Sequence, residues 1–210
     1  MERRLERLVD GIAARVFGGR VHPVELGTRL LREADLAAIE GPAGPTIPNL
    51  YVIAADLEAA DHPALSEISR ELADLITDAA VEQGWRLEGP VTVTLAEGGK
   101  SGSVHIETAF EEGDLPAWAT LTDTDNRNKL TVHHNRAVAG RSGDADVTIP
   151  NPSVSRRHAL LWRESGRLWI ADLGSANGTL VNGEPVFEVV EIVPADLILF
   201  GNAAFLLRMA

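Results

Sequence analysis

The 210-residue chain contains no cysteine. Disulfides, thiol nucleophiles and zinc–cysteine sites are thereby excluded, and nothing in cysteine usage points to an oxidising compartment. No apolar run approaches the roughly 18 residues that a membrane helix needs. The opening MERRLERL is charged and lacks the apolar centre of a secretory signal. Repeats and low-complexity tracts are also missing. A cytoplasmic protein without direct membrane insertion is the expectation. Positive charge is scarce, with 19 Lys and Arg against 31 Asp and Glu, a formal net charge of −12. Nonspecific nucleic-acid binding depends on neutralising phosphates, so this balance argues against it.

What is present divides the chain in two. The hydrophobic fraction of 45% suffices for real cores, and the length fits one or two domains. Residues 1–115 carry a net charge of −11 and residues 116–210 only −1. In the first part, Leu5, Leu8, Val9, Ile12, Val16 and Phe17 recur at helical spacing up to Gly18-Gly19. A second helix is predicted from Pro23 to about Ile39, with proline in its first turn. Gly41, Pro42, Gly44, Pro45 and Pro48 then predict a loop. Leu50–Ala54 reads as a buried strand. Leu65, Ile68, Leu72, Leu75, Ile76 and Ala79 define a third helix, with Gly84 near its end. Val91–Leu95 and Ser103–Glu107 alternate with period two and are predicted to form a hairpin around residues 97–102. The expected fold is therefore an α+β amino-terminal domain over residues 1–112. The acidic, Gly- and Pro-bearing stretch Glu111–Pro116 is the predicted boundary.

From Trp118 onward helical periodicity disappears. Short β-rich runs follow at 129–133, 137–140, 159–162, 168–172, 179–181, 189–193, 197–200 and 203–208, separated by turn signals about every ten residues. Residues 117–210 are thus expected to form an all-β sandwich. Thr120, Thr122 and Thr124 fall at its start. They read as part of a first strand and its turn, where β-branched residues are common. A second reading makes them phosphorylation sites whose phosphate would block the ligand site described next.

Three motifs stand in order within that region: Gly140-Arg141, then Ser155-Arg156-Arg157-His158, then Gly174 to Thr179, with Asn182-Gly183 just after. Arginine forks and hydroxyl donors on rigid loops suit a phosphate carried by a peptide. A phosphothreonine brings a charge of about −1.5 to −2 and three strong acceptor oxygens. This run resembles the forkhead-associated (FHA) domain, a phosphothreonine-binding module, over roughly residues 117–209. The resemblance implies that Arg141 and Ser155 contact phosphate and that Arg156 adds a second cation. It implies that Asn177 holds the peptide main chain. Asn182 is either a second peptide contact or a turn residue, and Arg157 faces either solvent or a neighbouring acid. Gly140, His158, Gly178 and Thr179 are implied to support the site, with His158 buried and bracing the serine loop. Two departures from the family pattern stand out. Ala176 replaces a residue that often adds a ligand contact, and Pro194-Ala195-Asp196 replaces a frequent Gly-Asp turn.

The segments 15–19, 23–25, 31–33, 49–53 and 83–85 resemble the domain of unknown function that precedes the FHA module in an actinobacterial adaptor family. That resemblance implies a bacterial Ser/Thr-kinase signalling adaptor linked to cell-wall synthesis or division. Its partners would be threonine-phosphorylated kinase substrates, and such a partner would recruit it to the membrane. No catalytic residue, metal site or cofactor is expected. His133-His134 lacks further ligands at suitable spacing, and no nucleophile–base or acid–base pair stands out. The rival reading is a nucleic-acid adaptor with a KH-like amino-terminal domain, for which Gly18-Gly19 is a weak motif.

Overall fold

The computed structural model describes residues 23–57, 62–98 and 103–210. The first expected helix lies outside these residues. The chain divides into two compact units. One is formed by the chain up to Glu40 with Pro45–Gly113, the other by Gly41–Gly44 with Asp114–Ala210.

Helix α1 of the first unit spans Pro23–Leu36, and strands β1 (Ile39–Gly41) and β2 (Gly44–Thr46) follow it in the chain. Strand β3 (Leu50–Ala55), helix α2 (His62–Gln83), strand β4 (Thr92–Glu97) and strand β5 (Val104–Ala109) complete it. Helix α1 stops three residues short of Ile39, which is 58% exposed and begins β1. The expected Gly/Pro loop therefore contains two short paired strands.

The predicted β4–β5 hairpin does not form. The sheet order is β4-β3-β5, with β3 parallel to β4 and antiparallel to β5. Helix α2 is the crossover that a parallel β3–β4 pair requires. The central strand is not buried throughout, since Val52 is exposed while Tyr51, Ile53 and Ala55 face the core. Leu26 and Leu30 of α1 and Leu72, Leu75 and Ile76 of α2 complete that core. The Tyr51 hydroxyl donates to the Pro48 carbonyl at 2.8 Å, and burial raises its pKa above the usual tyrosine value.

Asn49 fastens the chain where it leaves this sheet. It is buried, its Nδ2 donates to the carbonyls of Pro90 and Glu111, and its Oδ1 accepts from Glu111 N–H at 2.9 Å. A Cβ on Gly89 would strike these same groups.

The second unit is a two-sheet sandwich. Its strands are β6 (Ala119–Asp123), β7 (Lys129–Val132), β8 (Arg136–Gly140), β9 (Val147–Thr148), β10 (Ala159–Glu164), β11 (Arg167–Asp172), β12 (Thr179–Val181), β13 (Glu184–Pro185), β14 (Val190–Ile192), β15 (Leu197–Phe200) and β16 (Ala203–Met209). One sheet runs β14-β11-β10-β8-β9 and the other β13-β12-β15-β16-β6-β7. Leu121, Ala139, Leu161, Ile170, Ile198, Phe200, Phe205 and Leu207 fill the space between them. They are the inward members of period-two strands. Thr120 and Thr122 lie in β6, with Thr124 just beyond it. Thr122 is buried and its hydroxyl has no hydrogen-bond partner, so a kinase could not reach it without opening the strand. On the outer face of the first sheet, the Arg136 guanidinium lies 5.3 Å from the Trp162 ring centroid and its Nε donates to Ala43 O.

Candidate functional site

Three connections gather at one end of the sandwich: β8–β9, β9–β10 and β11–β12. Backbone bonds lace the first two together. Arg141 N–H donates to Ser155 O at 2.9 Å and Ser142 N–H to Arg156 O at 3.2 Å. This close approach explains Gly140. A Cβ there would sit on the Arg156 carbonyl oxygen, far inside van der Waals contact. Arg141 Nε donates to Val154 O at 3.1 Å, which aims its exposed guanidinium and leaves the two terminal nitrogens for a ligand.

His158 sits beneath the second loop with no exposed surface. Its Nδ1 accepts the Ser155 N–H at 3.0 Å, so the ring proton resides on Nε2, which donates to Gly178 O at 3.1 Å. The edge of the ring meets Phe200 at a centroid distance of 5.7 Å. One imidazole thus ties the serine loop to the Gly178 turn. The Ser155 hydroxyl oxygen accepts Ala176 N–H at 3.0 Å, which leaves its proton to donate outward.

The third loop is anchored by Asp172, a residue the sequence reading did not single out. It accepts Ser175 N–H at 2.7 Å, the Ser175 hydroxyl at 2.7 Å and the buried Thr179 hydroxyl at 2.6 Å. Partial burial would raise its pKa. The Thr179 and Ser175 hydrogen bonds, with the neighbouring His158, outweigh that and hold the carboxyl below its ordinary value. An Asp at a strand end, three residues before a Ser, is the sequence signal that could have pointed to this anchor. Gly178 adopts φ +76, suited to glycine, and its N–H donates to Ser175 Oγ.

Asn177 is exposed, and its Nδ2 donates to Ser153 O at 2.7 Å. Its Oδ1 remains open to solvent-side donors. Asn182 lies elsewhere. It stands beyond the other end of β12, roughly 10 Å of strand from Asn177. There it takes φ +52, its Nδ2 donates to Asp196 Oδ1, and its Oδ1 accepts Leu197 N–H. Both amide atoms are used, so Asn182 is a turn residue and not part of this cluster.

Arg156 and Arg157 are exposed. With Arg141, Ser155, Leu173 and Pro42 they line a groove of about 550 Å³ within the second unit. The two adjacent histidines do different things. His133 contacts Leu115 O and Thr131 Oγ1, while His134 Nδ1 lies 3.1 Å from Asp146. Among the described residues no group of three or more His, Asp or Glu could hold a metal ion. Among them, too, no helix is long and apolar enough to cross a membrane.

Two family models match this chain. The model described as "FhaA, N-terminal domain" covers residues 1–106, and the FHA domain model covers residues 137–201. Over 72 residues the chain is 38% identical to the FHA domain-containing protein FhaA of Mycobacterium tuberculosis, spanning 34% of this chain and 14% of that protein. Over 52 residues it is 48% identical to the glycogen accumulation regulator GarA of Mycolicibacterium smegmatis, spanning 25% of this chain and 33% of that protein. The chain therefore spans a third or less of the length of these two curated relatives. A solved FHA domain, studied for phosphothreonine-dependent FHA domain interactions, is 31% identical. It covers 44% of this chain and 97% of its own, with a TM-score of 0.41. Nothing in these comparisons supports the nucleic-acid alternative. With a match running through half its length and an FHA domain following, the chain belongs to the family defined by the FhaA N-terminal domain.

Proposed function

We propose that this chain is a phosphothreonine-peptide-binding adaptor without catalytic activity, working in bacterial Ser/Thr-kinase signalling. The observation that carries this reading is the free guanidinium of Arg141 beside the outward hydroxyl of Ser155. His158 holds the Ser155 loop, and backbone bonds lace the Arg141 loop to it. Such donors are set before the ligand arrives, so little ordering cost opposes binding. Arg141 forks onto two phosphate oxygens, Ser155 donates to a third, and Arg156 supplies a second positive charge. Asn177 Oδ1 accepts a main-chain N–H of the peptide. The domain of residues 1–112 engages another protein, and a phosphorylated partner determines where in the cell the chain acts.

The test is calorimetry of the full chain with one peptide in four forms: phosphothreonine, phosphoserine, threonine and glutamate. The phosphothreonine form should bind and the threonine and glutamate forms should not. Phosphoserine should bind about fourfold more weakly if the methyl group is merely buried, at ~0.8 kcal/mol. Equal affinity for the phosphorylated and plain threonine peptides would overturn the reading.

A further inference from the structure

The groove holds more positive charge than one phosphate uses. Arg141, Arg156 and Arg157 all line it. Among the described residues no carboxylate forms an ion pair with any of the three guanidiniums. Of the acids on the three loops, Asp144 accepts the Ser142 hydroxyl at 3.4 Å. Asp172 is consumed by Ser175 and Thr179. Asp146 accepts the Val138 N–H and faces His134. In a chain of net charge −12, three unpaired arginines in one cavity are not an expression of general basicity.

A phosphate monoester brings a charge of about −1.5 to −2. Arg141 and Arg156 balance that. Arg157 is left as a third cation lining the groove. A groove of about 550 Å³ also extends well past the space of a single phosphate group. Resting on the phosphothreonine reading above, we propose that Arg157 selects peptides with a second anionic group close to the phosphothreonine. That group is an acidic side chain or a second phosphate, and both present the oxygen pair that a guanidinium fork fits. Arg157 is then a specificity residue, while Arg141 and Ser155 hold the primary phosphate.

The experiment titrates the full chain with three peptides of one length. The first carries a single phosphothreonine among neutral neighbours. The second adds Glu within two residues on either side, against a Gln control. The third replaces an adjacent residue with a second phosphothreonine. Each is repeated with Arg157→Gln. The expected result is that the added anion tightens binding about three- to fivefold in the unaltered chain, the upper part of the scale of an exposed charge pair. That increment should vanish in Arg157→Gln, while affinity for the neutral-flanked peptide changes less than about twofold, and it should shrink as salt rises. The glutamate and double-phosphate arms show which anion is used. Binding of the first peptide with no gain from either anion overturns the Arg157 proposal alone. A gain that survives Arg157→Gln overturns it as well. Failure of the first peptide to bind at all overturns the phosphothreonine reading and this proposal together.

Discussion

The buried imidazole of His158 accepts the backbone N–H of Ser155 at 3.0 Å, so the placement of a half-buried serine in the groove depends on a side chain with no solvent contact. Through Nε2 the same ring holds the Gly178 turn. His158→Ala removes a packed ring and strands two hydrogen-bonding groups. A loss of about 3 kcal/mol in denaturant unfolding is expected. Phosphopeptide affinity should fall as a consequence, and part of it should return at low temperature or with a stabilising cosolvent.

Arg141→Ala should show the reverse pattern. Its guanidinium is exposed, so unfolding should shift by less than about 0.5 kcal/mol. Binding should weaken by at least ~2 kcal/mol, as a forked, charge-assisted contact is lost. Calorimetry and thermal melts on the same sample check both halves. Loss of stability without a separable binding defect would make Arg141 a structural residue.

Gly140→Ala tests the lacing of the two loops. The new methyl must displace the Arg156 carbonyl, which is main chain and cannot rotate away. A destabilisation of about 2 kcal/mol is expected from such overpacking. Binding should drop by more than the stability loss explains, because the displaced backbone carries Ser155 and Arg156. Crystallography or amide shifts at residues 155–157 would show the displacement.

Asp172 gives the site an acid limit. Its pKa is lower folded than unfolded, so it contributes stability that is present above the ordinary carboxylate range. That contribution disappears as pH falls through the folded value. Protonation would weaken the acceptor for Ser175 and Thr179. The prediction is a stability decline beginning below about pH 4, shallower in Asp172→Asn, which is already weaker at neutral pH. Urea unfolding across pH 2.5–7 would measure it, and parallel curves would refute it.

Ala195 takes φ +80, a left-handed conformation that costs a residue with a Cβ about 1–2 kcal/mol. Glycine relieves this but gives back part through the entropy of the unfolded chain. Ala195→Gly should therefore stabilise by about 0.5–1 kcal/mol. Ala195 N–H bonds Leu207 O, at the sandwich end away from Ser155, so peptide affinity should not change.

Much of this was legible along the chain. Inward residues of β11, β15 and β16 announce themselves by period two, because one sheet face must leave water, whereas β8 and β10 read as continuous apolar runs buried on both faces. The spacing of Leu65 to Ala79 marks α2 in the same way. The order of the three loop motifs, with an arginine, a serine and an asparagine at their turns, points to a phosphate ligand from the sequence itself.

Other features were decided only in three dimensions. Periodicity says which face a strand buries and not which strand lies beside it. Thus β4 and β5 look like a hairpin, yet β3 separates them, with α2 as the crossover between the parallel β3 and β4 and packed on the same core. Asn177 and Asn182 look alike in sequence, each followed by glycine. The three-residue length of β12 puts them at opposite ends of that strand, where Asp196 engages one and the Ser153 carbonyl the other. Asp172 looks like an ordinary strand end until Ser175 and Thr179 fold back onto its carboxylate. The sequence determined which residue types and loops were available for a phosphate. The tertiary fold decided which of them converge, because convergence depends on strand pairing and buried hydrogen bonds between residues far apart in the chain.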